Sequence, residues 1–289
     1  MKELRLATRA SPLALWQTRF VAAQLHRRWP GLRTRLVPVV STGDRDTTTP
    51  LYGMGNIGVF AKEVHEAVLA GRADLAVHSC KDLPTTPVAG LCAPVLLRRH
   101  DPRDSLIGVH RLDGLRPGAV VGSSSLRRRA LLADLRPDLR FVDIRGNVAT
   151  RIGKVVDGTV DATLLARAGL ARLGTRPACG MVTLHPVSEC VPAVAQGAIA
   201  VDARTDDGWG RAAIARLHHP ATTAAVDCER AVLAGLRGGC SLPLGCHVFR
   251  TTAGWRLEAR LQTDAGLRRV SLTGPLAGLA DRALAQLTG

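Results

Sequence analysis

The chain opens on a short apolar run, Leu4–Thr8, followed by Ser11-Pro12, which reads as a helix N-cap with proline in the first turn. Helical spacing continues to about Arg28, ahead of Pro30. A second apolar run, Arg35–Val40, predicts a strand. Ser41–Gly58, rich in Thr, Gly and Asp, predicts a long loop of the kind that forms lids. Val59–Ala70 reads as a helix ended by Gly71, and Leu75–Val77 as a strand running into His78-Ser79-Cys80-Lys81-Asp82. The alternation then repeats. Strands are predicted at Ala119–Gly122, Leu139–Ile144 and Asp161–Leu165, and helices at Leu126–Leu135, from Asn147 to about Val156, and through about Leu173. Val191–Ala203 reads as loop then strand, returning the chain to its first unit.

From about Arg211 the texture changes. Helical stretches Arg211–His218 and Thr222–Leu236 lead to Gly238-Gly239-Cys240. Alternating segments, Trp255–Leu261 and Arg268–Leu272, predict antiparallel strands before a last helix over Leu276–Leu287. Alternating β and α units predict mostly parallel sheets with ligands at the carboxyl ends of strands, in a cleft between two lobes.

Composition narrows the class. Of 289 residues 46% are hydrophobic and 3% aromatic, enough for cores built from Leu, Val, Ala and Ile. No run reaches the roughly 18 apolar residues of a membrane-spanning helix, and the first residues lack a signal-peptide core, so a cytoplasmic, membrane-free protein is expected. Seven cysteines, scattered and without a Cys-x-x-Cys pair, fit a reducing compartment and argue against a zinc ribbon. Most read as buried small hydrophobes. Basic residues outnumber acidic ones 39 to 24, and only Lys2, Lys62, Lys81 and Lys154 are lysines. Such an excess calls for an anionic partner. That partner could be nucleic acid, an acidic membrane surface or a polyanionic small molecule; the arginines are spread along the chain without a nucleic-acid motif, which weighs against nucleic acid.

Several arginines stand at predicted strand-to-helix corners. Arg9 ends the first strand before the Ser11 cap. Arg127 and Arg128 lie just inside the helix opened by Ser123-Ser124-Ser125, where free N–H groups and the helix dipole suit a carboxylate. The plainer alternative is an ordinary cap with solvated arginines. Arg145-Gly146-Asn147 repeats the pattern, Arg151 lies one turn on, and Arg172 falls near a helix end. A planar guanidinium is the natural partner of a carboxylate. Lys81-Asp82 follows a buried strand, and its carboxylate suits hydrogen bonds from substrate N–H groups or stabilisation of a developing cation; the alternative is a turn-capping pair. Cys240, in Arg237-Gly238-Gly239-Cys240-Ser241-Leu242-Pro243, sits on a glycine loop that suits an attachment point or nucleophile.

Together these stretches resemble the hydroxymethylbilane synthase, or porphobilinogen deaminase, family. The matching residues are Ala7–Ala14, Ala76–Pro84, Asp101–Asp104, Gly122–Arg128, Arg145–Arg151 and Gly238–Pro243, in the family's order over nearly the whole chain. The resemblance implies an α/β fold: two periplasmic-binding-protein-like lobes (residues 1–97 with 196–213, and 98–195) and a small α+β C-terminal domain, 214–289. It implies a monomeric transferase of tetrapyrrole biosynthesis that joins porphobilinogen units head to tail with loss of ammonia, on a dipyrromethane cofactor carried covalently by Cys240. By the same resemblance Asp82, Lys81 and Arg9 would be catalytic. Ser125, Arg127, Arg128, Arg145 and Gly146 would hold the cofactor with Lys81 and Asp82. Arg9, Ser11, Phe60, Arg145, Arg151, Arg172 and Gln196 would bind substrate. No metal is indicated. The sequence departs from the family at Gly53 and Ile57, where lysines are usual, at Ala195 in the family's Gly-Gln-Gly, and at Thr42, where arginine is common. Those departures remove charge from the predicted lid and motivate one alternative, a divergent paralogue with a shorter or altered product; fold alone admits another, a non-catalytic two-lobed binding protein for an anionic small molecule.

Overall fold

The computed structural model of the chain describes residues 3–46, 58–237 and 242–289. Strand β1 (Glu3–Arg9) hands over to helix α1 (Pro12–Arg28) at Ser11, whose hydroxyl accepts the Ala14 N–H at 3.3 Å. That bond satisfies one of the orphan donors of the first turn. His26, Arg27 and Arg28 close the helix on the end where cations are favoured. Strand β2 (Arg33–Val39), a one-turn α2 (Thr42–Arg45) capped by Ser41, helix α3 (Lys62–Leu69) and strand β3 (Leu75–Ser79) follow. Two expectations shift here. The stretch predicted as loop from Ser41 begins with a capped helical turn, and the helix predicted from Val59 starts three residues later, behind a turn at 58–61.

β1, β2 and β3 run parallel, and the sheet is completed by β10 (Ile199–Ala203), antiparallel to β3, and β4 (Val95–Leu96), in the order β2-β1-β3-β10-β4. Alternation decides the faces. Leu4, Leu6, Leu75, Val77, Ile199 and Val201 pack with Val21 and Leu25 of α1 on one side. Ala7 and Ala76 meet Val64, Ala67 and Val68 of α3 on the other. Each fully buried leucine here contributes about 1.5–3 kcal/mol of transfer free energy.

A second five-stranded sheet has the order β7-β6-β8-β5-β9, made of β5 (Asp104–Ile107), β6 (Val120–Gly122), β7 (Arg140–Val142), β8 (Ala162–Ala166) and β9 (Met181–Thr183). Again a parallel triplet, β7-β6-β8, adjoins an antiparallel strand, β5. Helices α4 (Leu126–Leu135), α5 (Val148–Val156) and α6 (Arg167–Arg172) follow β6, β7 and β8 in turn. After β10 come α7 (Gly208–Ala215) and α8 (Pro220–Gly235). A three-stranded meander follows, β11 (Leu244–Thr251), β12 (Gly254–Thr263) and β13 (Gly266–Gly274), with α9 (Leu279–Thr288). Both of its hairpins have two-residue loops, each closed by a glycine at positive φ, Gly254 and Gly266. The architecture is the mixed α/β class expected, with a further small sheet.

The chain forms two compact units, given over their described residues. One takes 3–46, 58–100 and 198–223; the other takes 101–197 with 224–237 and 242–289. Among the described residues no helix is long and apolar enough to cross a membrane.

Candidate cofactor and substrate site

In the first unit the predicted site residues gather at the carboxyl ends of β1 and β3. Arg9, the last residue of β1, donates from Nε to Asp44 at 3.0 Å and pairs through Nη2 with the same carboxylate. Its Nη1 lies 4.0 Å from Asp82 Oδ2, and its guanidinium lies over the Phe60 ring, 4.1 Å from the centroid. Burial opposes the Asp44 charge, but the Arg9 and Ser41 hydrogen bonds outweigh it and hold that carboxyl below its usual range. Burial likewise works against the Arg9 cation, and Asp44 and Asp82 outweigh it and raise its pKa. Gly43 leaves room for Phe60, because a Cβ there would overlap the ring. Beyond β3 the chain makes a single 3-10 turn, Cys80–Asp82, pinned by Cys80 N–H to Ala198 O at 3.0 Å. Lys81 is half-buried, and the Asp82 side chain retains 27% exposure. Asp82 is therefore fixed by its backbone yet open enough to meet a ligand. Ser11 serves as the α1 cap.

In the second unit the same kind of corner recurs twice. Ser125 caps α4, its hydroxyl accepting Arg128 N–H at 3.4 Å, and Ser124 donates to Ile144 O at 2.9 Å. Arg127 and Arg128 are not the solvated arginines of the plainer alternative. Their side chains are 5% and 8% exposed and converge on the wholly buried Asp104, at 2.8 and 2.6 Å. Arg127 also donates to Val191 O at 2.8 Å, and Arg128 to Leu164 O at 2.9 Å. Burial penalises the Asp104 charge, but the two guanidiniums outweigh it and hold the carboxyl well below the usual carboxylate range. One carboxylate against two guanidiniums leaves the cluster with net positive charge. Cys190 donates to Asp104 at 3.5 Å; burial first, then the Asp104 charge, pushes its thiol up to about 12.

At the β7–α5 corner, Arg145 is half-buried, Gly146 has φ +109°, and Asn147 caps α5 by accepting Thr150 N–H at 3.0 Å. A Cβ on Gly146 would come within 2.7 Å of Thr150 Cγ2, so the turn needs glycine on both counts. Arg151 donates from Nε to Gly146 O at 2.9 Å. Burial, then the like charges of Arg128 and Arg145, lower its pKa to about 10, which still leaves it protonated at neutral pH. Anionic carboxylates fit such surroundings: a mostly enclosed cation whose perturbing neighbours are other cations.

Arg172, at the end of α6, is buried rather than a surface arginine; it donates to Gly197 O at 2.6 Å, and burial lowers it to about 10. Gln196 lies in a turn before β10, not in the strand. Its amide donates to Pro102 O at 2.6 Å and Asp104 at 3.0 Å. The neighbouring Ala195 has φ +60°, and its N–H donates at 2.7 Å to Glu229 of α8.

Sequence reasoning did not single out Asp44, Asp104 or Glu229. Asp104 carried a signal, a carboxylate opening an apolar run and closing Asp101-Pro102-Arg103-Asp104. Asp44 and Glu229 carried none, since their partners are remote in sequence. Gly53, Ile57 and Cys240 lie outside the described residues.

Most of the candidate site residues thus sit near the carboxyl ends of parallel strands, where open α/β sheets hold ligands; Phe60, Arg172 and Gln196 lie elsewhere. The model of the family described as porphobilinogen deaminase, dipyromethane cofactor binding domain, matches residues 4–211. Among solved structures the chain is similar to a BenM effector binding domain with its effector benzoate, at 14% identity over 74% of this chain and 89% of that one, TM-score 0.45. It is similar to YhfZ from Shigella flexneri at 17% identity, over 81% and 96%, TM-score 0.37. It is also similar to ytmK from Bacillus subtilis, a probable amino-acid ABC transporter extracellular-binding protein, at 7% identity, over 75% and 90%, TM-score 0.47.

Proposed function

The chain belongs to the porphobilinogen deaminase family, and from that premise we propose that it is a transferase that joins porphobilinogen units head to tail, releasing one ammonia per unit, to give a linear tetrapyrrole. The observation that carries this reading beyond the family is the corner at Arg145-Gly146-Asn147, where half-buried Arg151 is held on Gly146 O at 2.9 Å beside the like charges of Arg145 and Arg128. Each pyrrole unit brings two carboxylates, and anions of that number need fixed guanidiniums, since unpaired buried charge is costly.

A dipyrromethane held through the Cys240 sulfur supplies the free pyrrole carbon to which units are added. Ser125, Arg127, Arg128, Arg145 and Gly146 hold its acetate and propionate groups. Asp104 fixes Arg127 and Arg128 from behind without cancelling their charge. Arg9, Ser11, Phe60, Arg145, Arg151, Arg172 and Gln196 serve the incoming substrate. Asp82 accepts hydrogen bonds from pyrrole N–H groups and offsets the positive charge that develops as ammonia leaves. Lys81 and Arg9 orient that carboxylate, Arg9 from 4.0 Å. Residues 214–289 form the domain that carries the cofactor cysteine, beside lobes of 1–97 with 196–213 and of 98–195. The protein works as a cytoplasmic monomer.

Intact mass spectrometry tests the proposal. The purified protein is expected to be heavier than its sequence by one cysteine-linked dipyrromethane, and to gain successive pyrrole units on incubation with porphobilinogen. Active protein with an unmodified Cys240 refutes the proposal, and a series that stops short of the tetrapyrrole points to the divergent paralogue.

A further inference from the structure

Behind the Lys81-Asp82 turn, on the α3 side of the first sheet, lies a group that the proposed reaction does not use. His78 on β3 faces Ala200 of β10 in antiparallel register, and Asp202 faces Ala76 two residues along. All four side chains share one face, because directly opposed residues of an antiparallel pair point the same way. Helix α3 covers that face and lowers His65 onto it. His65 Nε2 stands 3.1 Å from Asp202 Oδ2, and His78 Nε2 stands 3.6 Å from Asp202 Oδ1. The two imidazole rings are 4.6 Å apart between centroids. All three residues are at least nine-tenths buried, at 5%, 5% and 4% exposure for His65, His78 and Asp202.

Two atoms of this group, His78 Nε2 and Asp202 Oδ1, are buried without a hydrogen-bond partner. A buried polar atom left without a partner is costly, because it has given up its water and gained nothing in return. They point at one another across a gap too long for a hydrogen bond, with His65 Nε2 alongside; one donor atom from each residue lies within 4.8 Å of the others. A tetrahedral zinc ion with bonds of about 2.0–2.1 Å holds neighbouring donors about 3.3 Å apart. Both imidazole nitrogens lie close to that spacing from one carboxylate, each facing a different oxygen, His65 at Oδ2 and His78 at Oδ1.

We propose that His65, His78 and Asp202 bind a divalent transition-metal ion, zinc by preference, as a structural clamp joining α3 to β3 and β10. Two imidazoles and a carboxylate are a borderline nitrogen–oxygen set that suits zinc over magnesium or calcium. The clamp ties down α3, which pins Thr42 through Glu63, and β3, whose end presents Asp82. It is independent of the dipyrromethane reading, since none of its ligands is assigned to cofactor or substrate.

The test uses the full-length protein with its cofactor, stripped with a chelator and then given zinc chloride alone. The expected result is a single tightly held equivalent. Its X-ray absorption spectrum should show only nitrogen and oxygen neighbours at about 2.0–2.2 Å, with imidazole scattering. H65Q and D202N, checked for native circular dichroism, should each lower bound zinc at least about tenfold, within the range seen when metal sites lose a supporting group. Sulfur neighbours near about 2.3 Å would identify a thiol site and overturn the proposal. So would zinc retained in H65Q, or no zinc held by the stripped wild-type protein. Should both variants fail to fold, the wild-type spectrum decides alone.

Discussion

Replacing Asp104 by Asn keeps the shape of the side chain and removes its charge. In the structure that charge is fully buried and receives Nη2 of Arg127 at 2.8 Å, Nη2 and Nε of Arg128 at 2.6 and 3.2 Å, and the Gln196 amide at 3.0 Å. At an effective dielectric constant near 20, each of two unit charges about 4 Å away contributes about 4 kcal/mol of attraction, much of it offset by desolvation. The substitution leaves two like-charged guanidiniums in the interior with no anion between them, and breaking a buried pair in this way costs about 3–5 kcal/mol. Calorimetry and urea unfolding should both show a loss of that size at pH 7. The difference also has a pH signature. Asp104 has a depressed folded pKa, so its contribution is fully present above the unfolded value of about 3.9 and is lost as pH falls through the folded one. The gap between wild type and D104N should therefore be constant from neutral pH to about pH 5 and narrow in stronger acid. Replacing Arg127 and Arg128 by Met in the D104N background should recover stability, because the uncompensated charges are gone. A D104N protein within about 1 kcal/mol of wild type would refute the reasoning.

Two further outcomes follow from the same geometry. Ala195→Gly removes a left-handed penalty of about 1–2 kcal/mol and restores about 0.4–1 kcal/mol of unfolded-chain freedom, so a net gain of about 0.5–1 kcal/mol is expected in urea titrations. Asp82→Ala should lower the rate of ammonia release from porphobilinogen by about 10²–10³-fold, the usual cost of losing one preorganised electrostatic group. The melting temperature should barely move, since the Asp82 side chain is partly exposed and Arg9 keeps its closer partner Asp44.

What could be read from the sequence was whatever local chemistry dictates. Ser11, Ser125 and Asn147 cap helices as their types and positions require, and the arginines beside them fall at strand ends because α/β alternation puts corners there. Strands β5 and β11 were missed. β5 opens on Asp104-Ser105, which reads as loop until two guanidiniums from another element neutralise it, and β11 begins directly after Pro243, so its start reads as part of the glycine- and proline-bearing sequence before it. The burial of Arg127, Arg128 and Arg172 was not legible either, because whether an arginine is solvated depends on partners brought by long-range folding. His65, His78 and Asp202 lie on three elements at no regular spacing, and only the sheet register brings them together.

The placement of β10 in the first sheet has a consequence for synthesis. β3 ends at Ser79 and β4 at Leu96, yet both hydrogen-bond to a strand that begins only at Ile199. At ribosomal speeds of roughly 5–20 residues per second, the nascent chain carries β3 as an open edge for on the order of 10 s. During that interval Leu75 and Val77 lack the Ile199 and Val201 side of their core, and the backbone of β3 is a template for any passing strand. The stretch 101–197, emerging meanwhile, contains all of the second sheet's strands and can build that sheet first. Of the two five-stranded sheets, the one translated first is therefore the one that can close second, and an interruption of synthesis before Ile199 should yield a chain that aggregates through β3.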